Sequence, residues 1–352
     1  MQELLGRLRA LDPGAVISLR VIACFDELIV GGVNSQALLS AAASLTGCVV
    51  GFSIDSPARA MRVSPQGEQL AGDALVPSDV RLKWSDGALS VWLEREGDPH
   101  ANDALIIERL SLALRVRYDR SGSADPRRDL GLMVDADVDE DRRFEAAARQ
   151  GLSQSTRYRF VVAPLFATWR THPAAREDVI STSSGPLHTL IVQQTTTTVE
   201  AEPVGIGQAA FVSDFPRAFR TAVVALRLTQ LPDTPVVLAD DYGGLLDVLA
   251  ELPAGYEPAD VPAVASIAGH PWGPVTLDAL VRTASVREAA RVAGIHHSTM
   301  TTRVQLVTET LGFEPLDGVG RLRLGLAYLL WRLHRSSTLT LPAPVDGNAR
   351  TS

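Results

Sequence analysis

The sequence is poor in cysteine and almost devoid of lysine. Cys24 and Cys48 are its only cysteines. Two are too few for a disulfide framework or a cysteine-built zinc cluster, so they read as free thiols of a reducing compartment, and a cytoplasmic location is expected. Lys83 is the single lysine, so positive charge rests on arginine, whose planar guanidinium suits bidentate phosphate contacts. No apolar run approaches the roughly 18 residues of a membrane span, and no membrane partner is expected. The opening MQELLGRLRALDPG reads as an amphipathic helix, Gln2–Leu11, stopped by Asp12-Pro13-Gly14. It lacks the basic-then-apolar order of a secretory signal. P-loop, H-E-x-x-H and G-x-S-x-G motifs are missing as well. No catalytic residue and no cofactor is therefore expected, and the chain reads as non-enzymatic.

What is present is an ordinary globular balance, 46% hydrophobic and 21% charged over 352 residues, enough for two or three domains at roughly 100–200 residues each. Polar seams mark three blocks. In the first, residues 1–118, Asn34-Ser35 caps a helix Gln36–Leu45 that Gly47 ends. A strand Cys48–Ile54 follows, then a hairpin around Ser85-Asp86-Gly87 and an apolar helix Ala104–Arg117. After the charged seam Asp119–Arg128, the second block, 129–254, alternates helix 140–151, strands 158–163, 187–193 and 203–206, helix 214–230, strand 235–239 and helix 243–252. A proline-rich seam, Pro253–Pro274, leads to an all-α third block, 275–335, and residues 336–352 read as a flexible tail. The expected class is α+β multidomain.

Several motifs fail on inspection. Gly205-Ile206-Gly207-Gln208-Ala209-Ala210 fits a loose G-x-G-x-x-A. Ser213-Asp214 and Pro216 start the next helix too late for a dinucleotide site, however, and Arg227 stands where an acidic residue is needed. Asp240-Asp241 reads as a helix N-cap rather than a magnesium site, and the acidic run Asp135–Asp141 as a complement to the dipole of the helix it precedes.

A net charge of −8 argues at first sight against nucleic acid. Its distribution reverses that impression, because residues 276–335 hold eight arginines against five acidic residues while residues 1–275 are strongly acidic. In that basic segment Ser285 caps a short helix, with Glu288 three residues on as in a capping box. Val286, Ala289, Ala290 and Ala293 give it a small apolar face, and Gly294 ends it before Ile295, which is expected as a buried anchor. A second helix starts near Ser298, buries Met300, Val304 and Val307, and stops at Gly312. A small-residue helix, a glycine turn and a second helix with its own core stripe make a helix-turn-helix, whose second helix enters the major groove of double-stranded DNA.

The side chains left outside the core are His296, His297, Ser298, Thr299, Thr301, Thr302 and Arg303, and none is acidic. Ser298 and Thr299 are expected at phosphate, His297, Thr301 and Thr302 at base edges, and Arg303, Arg287 and Arg291 along the backbone. His296 and His297 diverge by about 100° on a helix and have no cysteine or third histidine nearby, so no metal is expected there.

The stretch Ser285–Arg335 resembles the C-terminal DNA-binding domain of the PucR/CdaR family of bacterial transcription regulators. The resemblance is carried by His296-His297-Ser298-Thr299, Arg303, Leu311-Gly312 and Leu322–Leu333. His297 and Ser298 stand where the family usually has Arg and Asn, which implies weaker non-specific binding. Residues 15–118 resemble the family's GAF-like sensory domain. Residues 129–252 resemble its degenerate GGDEF-like domain, carried by Val204–Gln230, with no acidic-acidic-Phe after Gly243-Gly244. The resemblance implies a transcription regulator acting as a homodimer or higher homo-oligomer, with a small-molecule effector and RNA polymerase as further partners. The alternatives are a cyclase-type signalling protein and a protein–protein adaptor.

Overall fold

A computed structural model of the chain describes residues 13–55, 58–71, 80, 82–120, 129–171, 173–183, 185–195, 199–253 and 255–339. The helix expected at Gln2–Leu11 and the tail beyond residue 339 lie outside these residues, as does most of the seam Asp119–Arg128. The described chain separates into two compact units, one from Met1–Leu246 with Thr338–Ser352 and one from Asp247–Ser337. The architecture is mixed α+β, with several sheets in the first unit and helices alone in the second. Among the described residues no helix is long and apolar enough to cross a membrane.

Within the described residues the first unit opens with α1 (Pro13–Gly31). Pro13 is accommodated in its first turn, because proline lacks only an amide hydrogen that the first turn leaves unused. α2 (Ser35–Thr46) is capped as expected: Asn34 Oδ1 accepts from the Ala37 amide at 2.8 Å, and Gly47 closes the helix with φ 67°. Next come β1 (Val49–Asp55), β2 (Ala58–Val63), β3 (Leu82–Ser85), β4 (Leu89–Glu94) and α3 (Asp103–Arg120). The four strands form an antiparallel sheet in the order β2-β1-β4-β3. Phe25, Leu28, Leu38, Leu39, Val50, Phe52, Val91, Leu93, Leu110 and Leu114 form the core between sheet and helices. Burial pushes the Cys24 thiol up to about 12, with Glu27 adding to the shift.

The remainder of this unit contains α4 (Asp129–Val134), α5 (Glu140–Arg149), β5 (Tyr158–Pro164), β6 (Thr168–Thr171), β7 (Arg176–Thr182), β8 (Gly185–Gln193), β9 (Glu200–Glu202), β10 (Val204–Ile206), α6 (Phe215–Arg227) and β11 (Val236–Leu238). Its main sheet runs β11-β10-β5-β8-β7, antiparallel except for the β10–β11 pair that α6 connects. Phe160 meets Phe215 edge-on at 5.0 Å and Phe219 at 5.8 Å, fastening α6 to the sheet. The acidic run before α5 supplies its cap, with Asp139 Oδ1 accepting from the Arg142 amide at 2.9 Å. Asp240 lies in a short 3-10 turn and is paired with Arg159 at 2.5 Å.

The glycines of the G-x-G-x-x-A stretch have a packing role. A Cβ on Gly205 would lie 2.2 Å from the Leu226 amide nitrogen and 2.3 Å from the Ala222 carbonyl oxygen. On Gly207 it would lie 2.4 Å from the Ala218 carbonyl oxygen. The bare backbone lets α6 rest directly on β10.

The second unit takes the end of α7 (Leu245–Glu251) and holds α8 (Asp260–Ala268), α9 (Gly273–Arg282), α10 (Val286–Val292), α11 (His297–Leu311) and α12 (Gly318–Arg335). α8 occupies the stretch read as a seam. Pro262 falls in its first turn, where proline is tolerated, and Val261, Val264 and Ile267 form its buried stripe. α8 packs on α12, and Arg323 grips Asp260 through bonds of 2.9 and 2.7 Å.

Gly205→Ala is expected to destabilise the first unit by about 1–3 kcal/mol, because the added methyl meets fixed helix backbone. Urea unfolding followed by far-UV circular dichroism measures this, and an unchanged midpoint would contradict the packing role.

Candidate nucleic-acid interface

The turn that sets α11 against α10 is built from local hydrogen bonds. Ser285 is the extended N-cap of α10, its Oγ accepting from the Glu288 amide at 3.3 Å. The Glu288 carboxylate accepts in return from the Ala284 amide at 3.2 Å, one residue earlier than in the usual capping box. Ala289 and Ala290 are buried. At the C-terminus the Ile295 amide reaches back to the Ala290 carbonyl at 3.0 Å while Gly294 adopts φ 65°. This is a glycine closure whose left-handed residue favours Gly. Ile295, expected as a buried anchor, is half-buried.

α11 then starts at His297, with His296 as N-cap. Its buried residues are Met300, Val304, Val307 and Leu311. On the opposite side Ser298, Thr301, Thr302 and Gln305 are exposed, one or two turns apart. Thr299 and Leu306 border this face and are exposed too. Gln305 was not assigned from the sequence, although its spacing from Ser298 and Thr301 is the signal that places it there.

Hydrogen bonding fixes what these groups offer. His296 Nδ1 accepts from the Ser298 amide at 3.3 Å and lies 2.8 Å from Ser298 Oγ. An accepting Nδ1 leaves the proton on Nε2, so the outward edge of His296 donates. Thr301 donates its hydroxyl to the His297 carbonyl at 3.0 Å, and Thr302 donates to that of Ser298 at 3.2 Å. With those protons committed, both hydroxyl oxygens are left as acceptors. His297 Nδ1 is 3.2 Å from Thr301 Oγ1 and donates to it, so its free Nε2 accepts. The face thus carries one imidazole donor and several acceptors, with no acidic side chain before Glu309.

The arginines divide into two kinds. Arg287 and Arg291 are exposed one turn apart on α10 and have no hydrogen bond or ion pair within the described residues. Arg303 is half-buried. Its Nη1 donates to Thr276 Oγ1 at 3.2 Å, and its guanidinium carbon lies 5.4 Å from the centre of the Trp272 ring. The side chain expected to face outward is turned toward α9. Among the described residues no group of three metal-ligating side chains exists.

Comparisons with known proteins agree with this geometry at one place. Residues 275–330 match the family described as the PucR C-terminal helix-turn-helix domain. The matched stretch covers α10, the glycine turn and α11, so the chain carries a helix-turn-helix domain of the PucR type. No curated protein matches the chain. A crystal structure described as a regulator of polyketide synthase expression from Bifidobacterium adolescentis aligns over 59% of this chain and 97% of its own. The identity is 15% and the TM-score 0.28, too low to transfer a fold or a role.

Arg303→Met, which keeps an apolar stem, is expected to cost about 1–2 kcal/mol through loss of the hydrogen bond and the cation–π contact. Urea denaturation of the full chain, followed through tryptophan fluorescence, reads it. A change below measurement error would show that the inward contacts contribute nothing.

Proposed function

We propose that this chain, which carries a helix-turn-helix domain of the PucR type, is a transcriptional regulator that binds double-stranded DNA in a sequence-specific manner. The carrying observation is the N-terminal half of α11. It is polar and acid-free on the exposed side and seated by Met300, Val304 and Val307 on the other. A helix of that kind fits a major groove about 12 Å wide. Ser298 and Thr299 meet phosphate at the positive end of the helix dipole. His296 donates and His297 accepts, while Thr301, Thr302 and Gln305 read base edges, the threonines as acceptors from adenine N6 or cytosine N4. Arg287 and Arg291 hold backbone phosphates, as the first helix of such a unit crosses the backbone. Arg303 joins them only by leaving Thr276.

The rest of the reading concerns the first unit. Its helices α2 and α3 around the central strand β1 support a GAF-like sensory segment over residues 1–118. β10 and α6 within Val204–Gln230 support a degenerate GGDEF-like segment over 129–254. In this proposal the first unit mediates homodimerisation and responds to a small effector. The second, with its DNA-binding segment 275–335, presents a recognition helix to a half-site, and RNA polymerase is the downstream partner. The setting is the cytoplasm.

Retention of duplex fragments over a salt series tests the reading. Arg287→Ala and Arg291→Ala should each flatten the slope of log K against log salt by about 0.9, one phosphate contact. An unchanged slope removes that arginine from the interface, and the same outcome for Arg303→Ala leaves it with its contacts to α9 alone. Failure of the full chain to retain any duplex at low salt would overturn the proposal.

A further inference from the structure

The exposed row of α11 carries no cation. Ser298, Thr302 and Gln305 follow at spacings of four and three residues and lie opposite the buried stripe, with Glu309 next in the row. A carboxylate is repelled by phosphate, so Glu309 bounds the stretch that can lie along a duplex. From Ser298 to Gln305 the helix rises about 10 Å, the length of about three base pairs. The only arginine of α11, Arg303, is turned to Thr276 and Trp272.

What this face lacks bears on which base pairs it can tell apart. Guanine is read most often by a bidentate arginine or lysine on O6 and N7, and the row offers neither. The hydroxyl oxygens of Thr301 and Thr302 and the accepting Nε2 of His297 meet amino groups, which adenine and cytosine both present. The donor on His296 meets N7 of either purine. Discrimination therefore falls to the next two residues. Gln305 is exposed, and its amide has no hydrogen-bond partner among the described residues. It carries a donor and an acceptor side by side, the complement of N7 and N6 of adenine. Leu306 borders the face with 47% of its surface exposed. A single exposed leucine is ordinary on a surface; this one stands beside the base-reading row, where thymine alone offers a methyl group.

We infer that α11 selects A·T pairs over G·C pairs, with Gln305 bidentate on an adenine and Leu306 against a thymine methyl. Consecutive helical residues diverge by about 100°, so the two side chains address different base pairs, and each half-site holds two A·T pairs within a few steps of one another. The inference rests on the proposed reading of α11 as the recognition helix and goes beyond it by naming the bases and the two residues that choose them. The threonines and His297 then add affinity for whichever amino group lies opposite, while Gln305 and Leu306 set the sequence.

The test offers the full chain a pool of duplexes with a random centre at low salt and sequences the fragments it retains. The unaltered chain should enrich two A·T pairs in each half-site. Gln305→Arg should turn one of them into G·C, with guanine in the place of adenine, and leave the rest of the motif alone, since arginine takes O6 and N7 where glutamine takes N6 and N7. On the selected duplex, deoxyuridine in place of each thymine in turn removes only a methyl group. At one position it should weaken binding about threefold, and Leu306→Ala should show no such loss there. Both residues are exposed, so neither substitution touches the buried stripe. A motif with G·C at these positions, a motif that Gln305→Arg leaves unchanged, or a deoxyuridine series without effect overturns the inference while the DNA reading stands. Retention of no duplex at all is a different result and removes the reading beneath it.

Discussion

The helical unit depends on the seating of α11 by a single buried stripe. Met300, Val304, Val307 and Leu311 fall three to four residues apart, so burying them fixes the rotation of the helix about its own axis and leaves no choice about which residues face water. Alanine at 289 and 290 lets α10 approach closely, and Gly294 supplies the left-handed residue that turns the chain between the two helices. Arg303 adds a lock from the side through Trp272 and Thr276. The polar face is thus a consequence of packing: once the stripe is seated, Ser298, Thr301, Thr302 and Gln305 must point outward. Back-bonding of the two threonines then determines the hydrogen-bonding character of what they present.

A comparable constraint organises the first unit around α2. Its sequence SQALLSAAASLT is buried along nearly its whole length, which a twelve-residue helix achieves only when elements close over every side. α2 packs on α3, β1 and β2, and also on β7 and β8 of the larger sheet. The alanines keep it thin enough for this. Asn34 works at both ends of its amide, accepting from Ala37 to cap the helix and donating to Asp178 of β7 at 2.7 Å. Beside it the buried His188 ring lies 2.6 Å from Glu177. Polar groups this deeply buried are tolerated because they satisfy one another, and they tie α2 to the edge strand β7 that would otherwise stand open.

Legibility followed how local the governing interactions were. Caps and glycine stops are short-range, so Asn34, Ser285, Gly294 and Gly312 marked helix ends in the sequence that the structure reproduces. The hairpin of β3 and β4 was equally readable from Ser85-Asp86-Gly87. Elements whose stability comes from tertiary partners were not. β7 begins Arg-Glu-Asp and becomes a strand because β8 pairs with it. α8 sits in a proline-rich stretch and is helical because Val261, Val264 and Ile267 find cover in the helical unit. The stop expected at Asp12-Pro13-Gly14 concerns a helix outside the described residues, and the helix described from Pro13 on is compatible with it, proline being accepted on both sides of such a boundary. In the DNA-binding segment the sequence identified which residues lie outside the core stripe. It did not reveal that Arg303 bends back, because long side chains choose partners that pattern alone does not display.

The charge of the helical unit limits how it can hold DNA. The basic segment 276–335 looks cationic in isolation, yet its arginines are partly spent within the fold. Arg323 is paired with Asp260, Arg282 with Asp278, and Arg321 with a backbone carbonyl. Arg332 is buried against Tyr328, and among the described residues Arg287 and Arg291 on α10 and Arg335 at the end of α12 are exposed with no such partner. Counterion release from two or three phosphates gives only a shallow salt dependence and modest affinity, and the acidic residues elsewhere in the chain add nothing to it. A unit so sparing of positive charge cannot rely on the phosphate backbone to stay bound. In the proposed regulator, discrimination comes from the hydrogen-bonding face of α11 and affinity from engaging two half-sites at once, where the second contact follows the first at high effective concentration. On that proposal weak single contacts are a requirement, since a helical unit that held any duplex tightly on its own would lose the distinction between paired half-sites and random sequence.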